Sequence, residues 1–115
     1  MKLNSDEVLV IASNKMGHGD DKLGEILIKS FIHVLTENET IPKTIVFYNS
    51  GVLLTSADSA CLDDLKLMEK NGAEILLCGT CVDYYNIGDK ISAGKISKMR
   101  TIIEKMEEAK KIIKP

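Results

Sequence analysis

There is no tryptophan in the chain, only two prolines (Pro42 and Pro115) and only three cysteines. So little proline leaves no proline-rich linker, and 115 residues suffice for one domain with one core. Three cysteines are too few, and odd in number, for a disulfide framework; the thiols are read as free, metal-bound or catalytic in a reducing compartment. Long apolar runs are missing as well. Nothing approaches the ~20 residues that span a bilayer, and "MKLNSDEVLVIAS" holds a strand-length stretch rather than a signal peptide. A cytoplasmic protein with no membrane partner is expected. Nor is charge one-sided: 15 Lys and Arg stand against 17 Asp and Glu, interleaved along the chain. "KISKMR" and "KKIIKP" read as the solvated face of a terminal element, and no basic, aromatic-laced patch signals nucleic acid.

What is present is an alternation of apolar runs with helical periodicity. "EVLVIA" (Glu7–Ala12) has no period of two, which suits a strand covered on both faces. Asp20 or Asp21 caps a helix running to about Glu37, with Leu23, Leu27, Phe31 and Leu35 in one row widened by Ile28 and Ile32. "IPKTIVFYN" is a second strand, with Pro42 tolerable only at its start. A second helix begins near Ser59, presents Cys61, Leu62, Leu65 and Met68, and stops at Asn71–Gly72. "AEILLC" is the third strand. Ser97 is placed as cap of a last helix bearing Met99, Ile102, Ile103 and Met106, and "KKIIKP" is read as a short final strand. Alternation of this kind predicts a parallel α/β sheet with right-handed crossovers. Loops that follow parallel strands leave on one edge, so "SNKMGHGDDKLG", "YNSGV" and "CGTCVDYYN" converge there.

Those loops hold the candidate site. Cys78 ends a strand and Cys81 lies about one helical turn on, where free backbone N–H groups and a partner thiol favour thiolate. Gly79 and Thr80 make the turn between them. Asp83 disfavours thiolate at Cys81, which leaves Cys78 as the better nucleophile. Zinc would need two more ligands, and Cys61, His18 and His33 are all that remain. His33 and Cys61 sit on apolar helix faces and are read as core residues, so no metal is assigned. Inert burial of the cysteine pair stays open beside redox or sulfur chemistry. "MGHGDDKLGE" lacks the ending of a nucleotide phosphate loop, and its two aspartates repel an anion. Gly17 and Gly19 give that loop its path, His18 is a candidate proton carrier, and Asn14 lines the same edge. Asn49 and Gly51 shape the second turn; Val52–Leu54 and Tyr84–Tyr85 are candidates to shield the sulfur or to meet another subunit.

"VIASNKMGHGDDKLGEILIKSF", "KTIVFYNSGVLL" and "GAEILLCGTCVDYYN" followed by "ISKM" together resemble the DsrE-like domain of YedF-type selenium-metabolism proteins, from about Glu7 to Pro115. The resemblance implies a small three-layer α/β/α domain with a mostly parallel sheet of about five strands, related to sulfur-relay proteins. By position it makes Cys78 the cysteine that carries persulfide sulfur, with no other cofactor, and it implies a homo-oligomer. Two departures stand out. Proteins of this type carry a small sulfur-carrier domain with a Cys-Pro motif before the DsrE-like part. Here residues 1–115 read as the DsrE-like domain alone, so a relay would recruit a cysteine desulfurase or a separate small sulfur-carrier protein. Second, the relay relatives manage with one reactive thiol where this chain has two.

The function expected is therefore a sulfur or selenium carrier, sulfurtransferase-like if active, with Cys78 loaded and Cys81 resolving. The alternatives are a non-catalytic oligomeric interaction domain and a Cys-x-x-Cys oxidoreductase. The last lacks the thioredoxin-type proline within its dipeptide.

Overall fold

A computed structural model describes all residues, Met1–Pro115. Strand β1 (Lys2–Ile11) is followed by helix α1 (Asp21–Thr36), strand β2 (Thr40–Phe47), a 3₁₀ helix (Asn49–Thr55) and helix α2 (Leu62–Lys70). Strand β3 (Glu74–Cys78), helix α3 (Gly79–Tyr84), strand β4 (Lys95–Ser97), helix α4 (Met99–Glu108) and strand β5 (Lys111–Ile113) complete the chain. The five strands form one sheet in the order β4-β3-β2-β1-β5, every neighbouring pair parallel. This is the parallel α/β sheet that the alternation of runs and helices predicted, in the three-layer α/β/α arrangement that the resemblance implied.

Why the layers fall as they do follows from the direction of travel. The chain steps outward from β1 through β2 and β3 to β4, then returns across the sheet to place β5 beside β1. Right-handed crossovers put the outward helices on one face and the return helix on the other. Accordingly α1 and α2 pack on one side, where Ile28, Ile32, Leu65 and Met68 join Leu9, Ile11, Ile45, Phe47, Ile75 and Leu77 in the larger core. On the opposite face α4 inserts Ile102 among Val8, Val10, Val46, Leu76 and Cys78. Odd-numbered strand residues thus face one layer and even-numbered ones the other for β1 and β3, the alternation of a pleated strand.

Four details depart from the sequence reading. β1 starts earlier than Glu7, at Lys2, and its pairing with β2 slips between Asn4 and Val8. Pro42 lies inside β2 rather than at its start, opposite Asn4 where the ladder is already irregular, so its missing N–H breaks no regular run. In α1 the core row is Gly24, Ile28 and Ile32, whereas Leu23 and Leu27 remain 51% and 40% exposed. Ser97 caps nothing: it is the last residue of β4, paired with Cys78, and Lys98 precedes α4 without a side-chain cap. The cap at α1 is Asp20, whose carboxylate accepts from the Leu23 N–H at 2.9 Å. No helix is long and apolar enough to cross a membrane.

Candidate functional site

The C-terminal ends of β1, β2 and β3 lie side by side, with Ile11 opposite Phe47 and Phe47 opposite Leu77. One residue past Leu77, Cys78 ends β3 with extended dihedrals and immediately precedes α3. Its side chain points into the smaller core beneath α4 and is only 3% exposed. Cys81, in the first turn of α3, is half-buried and touches both cores. The two thiols therefore occupy different settings, one sealed and one at the mouth of the sheet edge.

Cys81 has a dedicated hydrogen-bond donor. The Asn49 backbone N–H points at its sulfur over 3.0 Å. Asn49 reaches that orientation in the left-handed region, φ 50°, which asparagine tolerates better than most residues. The Tyr85 hydroxyl donates to the Asn49 side-chain oxygen at 3.3 Å and so braces the donor. Beyond it, Ser50 Oγ accepts the Asn14 N–H at 3.1 Å and lies 3.4 Å from Ser13 Oγ. The loops after β1, β2 and β3 are thereby tied together through Asn14, Ser50, Asn49 and Cys81.

The Cys81 thiol is perturbed by its surroundings. Burial pushes the Cys81 thiol up, the Asn49 N–H opposes it, and the neighbouring Cys78 sulfur raises it further. Asp83 takes no part in that shift, contrary to the like-charge reading of the sequence; the neighbour that matters is Cys78. The third thiol, Cys61, precedes α2, is 2% exposed and is pushed up by burial first and by Asp64 second.

The remaining candidates divide between two places. Asn49, Gly51, Gly79 and Asn14 lie at the thiol edge. A Cβ on Gly51 would stand 2.2 Å from the Ile11 carbonyl oxygen, so only glycine lets the 3₁₀ helix pass that close to β1. A Cβ on Gly79 would come 3.1 Å from Ile96 and 3.3 Å from the Ser97 carbonyl, so this glycine serves the approach of β4. Thr80 is exposed beside Cys81. Gly17, His18 and Gly19 are exposed at the entry to α1, and no hydrogen bond joins His18 to either thiol. His33 is not a core residue: its ring is exposed and meets the Asp64 carboxylate at 3.2 Å. No three His, Cys, Asp or Glu side chains stand together as a metal site would need. Ser13 and Ser50 were not singled out in the sequence; a hydroxyl wedged between Asn49 and Gly51 was the only available sign.

The shielding residues also resolve. Val52 and Leu54 are buried core, while Leu53 is half-buried. Tyr84 points to solvent, 84% exposed, with its ring 5.4 Å from that of Tyr85 and nearly perpendicular to it. Of the two tyrosines only Tyr85 reaches the thiol neighbourhood.

Comparison with known proteins places this architecture. Residues 9–115 match the model of the DsrE/DsrF-like family. No curated protein matches the chain. A protein of unknown function, MTH1491 from Methanobacterium thermoautotrophicum, superposes with a TM-score of 0.66 at 20% identity over 100% of both chains. The ychN protein from E. coli gives 0.64 at 12% identity, over 96% of this chain and 99% of its own. BT1422 from Bacteroides thetaiotaomicron, a conserved protein of unknown function, gives 0.61 at 12% identity over 96% and 95%. At such identities the likeness carries the fold, and the family match covers nearly the whole sequence: this chain belongs to the DsrE/DsrF-like family.

Proposed function

We propose that the chain carries sulfane sulfur as a persulfide on Cys78, with Cys81 as the thiol that discharges it. The observation that carries this reading is the Cys81 sulfur itself, held by the Asn49 N–H at 3.0 Å in the first turn of the helix that Cys78 precedes. In persulfide exchange the thiolate is the attacking species. Membership of the DsrE/DsrF-like family, related to sulfur-relay proteins, supports the same chemistry.

The steps balance. The Cys78 thiolate attacks the outer sulfur of a donor persulfide; the new S–S bond forms as the donor thiolate leaves. Cys81, deprotonated in turn, attacks the Cys78 sulfur. A Cys78–Cys81 disulfide forms and hydrosulfide departs, so the sulfane sulfur is reduced while two thiols are oxidised. A thiol reductant then restores the pair. A cysteine desulfurase or a small sulfur-carrier protein is the donor class. The same steps hold for selenium, with hydroselenide leaving. Because Cys78 is sealed, loading needs the six-residue α3 to shift its first turn. A homo-oligomer belongs to this reading, with Leu23, Leu27 and Val34 as apolar surface along α1; sedimentation of wild type against Leu27→Lys checks it.

A second reading rests on the burial of Cys78, which also suits a packing residue in a non-catalytic interaction domain. Intact mass before and after incubation with a cysteine desulfurase and cysteine separates the two. Gain of one sulfur on Cys78, removable by reductant, absent in Cys78→Ser and longer-lived in Cys81→Ser, is expected. Loss of two hydrogens with no hydrosulfide released, and with no sulfur gained by Cys81→Ser, makes the pair a dithiol oxidoreductase. Native thiols that neither gain mass nor react assign Cys78 to packing, and loading of Cys78→Ser at the wild-type level excludes it as carrier.

A further inference from the structure

Away from the thiol pair, a cavity of about 680 Å³ opens between α1 and the segment from Leu53 to Cys61. Neither Cys78 nor Cys81 lines it. Its size falls within the ~300–1,000 Å³ of small-molecule sites. Ile28, Leu54 and Ile87, all buried core residues, form its floor, and Ile26 and Leu53 extend the apolar wall. Ile26 is 64% exposed, a large aliphatic left to solvent beside this opening.

The rim is cationic. Lys22 and Lys29 lie seven positions apart on α1, two helical turns, and so line the same side of the cavity. Lys90 closes it from the loop after α3. None of these three ammonium groups forms an ion pair. Two carboxylates share the lining, Glu25 and Asp58. Asp58 already accepts the Ser56 hydroxyl at 2.6 Å, the leading cause that holds its carboxyl below the usual range. Three ammonium groups against two carboxylates leave the lining one positive charge in excess; Lys90 acts on Asp58, and Lys22 and Lys29 flank Glu25 on α1.

We infer that this cavity binds an amphipathic monoanion, a short acyl or aryl group on Ile28, Leu54 and Ile87 with its carboxylate or sulfonate between Lys22 and Lys29. Apolar burial supplies affinity, and the two ammonium groups set charge and orientation. The site does not rest on the persulfide reading: neither cysteine of the pair lines it, and Asn14 is the one residue it shares with the thiol edge. Cys61 lies in its wall and serves as an internal reporter.

Anilinonaphthalene sulfonate, followed by fluorescence on the intact chain, is the first probe, with decanoate and decanol as competitors. The expected result is one saturable site from which decanoate displaces the dye and decanol, of equal length but uncharged, does so at least roughly tenfold less well. A K22E/K29E variant, altering only exposed side chains, weakens both anions by about tenfold or more. Ala60→Trp, on the exposed rim, blocks binding, and Ile103→Lys, exposed on α4 at the opposite face of the sheet, leaves it unchanged. In a Cys78→Ser/Cys81→Ser background decanoate slows alkylation of Cys61. Dye binding that survives K22E/K29E, equal competition by decanol, or loss of binding in the Ile103→Lys variant would overturn the assignment.

Discussion

Cys78 has Val8, Val46 and Ile102 around it, whereas Cys81 sits at the sheet edge under the Asn49 N–H. The pH behaviour of Cys81 follows. Its folded pKa is raised, first by burial and then by Cys78 against the opposing Asn49 N–H. The unfolded chain therefore loses this proton first. The thiol's contribution to stability is complete below about pH 8.5 and vanishes as pH climbs through the higher folded value. In a Cys61→Ser protein, the iodoacetamide rate at Cys81 should titrate above the ordinary thiol range. Adding Cys78→Ser should move that midpoint down, and an unmoved or higher midpoint would show that Cys78 is not the neighbour responsible. Gly51 offers a second residue-scale test. Gly51→Ala drives a methyl group to 2.2 Å from the Ile11 carbonyl oxygen. It should cost about 1–3 kcal/mol in urea unfolding and also perturb Cys81 alkylation, because Asn49 is two residues away. Of these residues, the two thiols, Asn49 and Gly51 were legible in the sequence as strand-end and turn chemistry. The unequal burial of the thiols was not, because it depends on α4, which covers only one face.

At the scale of elements, the three long strands and the two longest helices could be read from apolar runs and period. α1 shows where such reading stops. Its apolar residues spread over so wide an arc that the Leu23–Leu27 row and the Gly24–Ile28–Ile32 row are equally periodic, and contact with the sheet decides between them. β4 was invisible because Lys95–Ser97 contains a single apolar residue, Ile96, itself 54% exposed. It is held instead by pairing to β3 and by the Gly94 N–H, which donates to the Glu69 carboxylate at 2.9 Å. α4 gives a sharp comparison, since Ile102 is fully buried and its neighbour Ile103 is 48% exposed. Ile102→Ala should destabilise by about 2–5 kcal/mol, and Ile103→Ala by less than ~0.5 kcal/mol. Equal shifts in the urea midpoint would mean that α4 does not lie on the sheet as described.

Across the whole molecule, strand–helix alternation settled the class and the shared edge for the loops, but strand order was beyond it. Nothing in "KKIIKP" tells whether the last strand joins β4 or crosses to β1; the right-handed rule allows either, on opposite faces. The observed order leaves β1, β2 and β3 inside the sheet with three-residue strands at both edges. Native-state hydrogen exchange should be slowest in β2, the inner part of β1 and β3, and fastest in β4 and β5. Comparable protection at the edges would contradict that order.

The pairing of Glu7 with Lys111 joins residues separated by nearly the entire chain. Closing so large a loop is entropically costly and yields only three paired positions, so the contact should form after the folding barrier is crossed. Ile113, half-buried against the larger core, reports on it. Ile113→Ala should hasten unfolding in stopped-flow experiments while leaving the refolding arm almost unmoved, so that β5 acts as a latch on the lifetime of the folded sheet and has little influence on how fast it assembles.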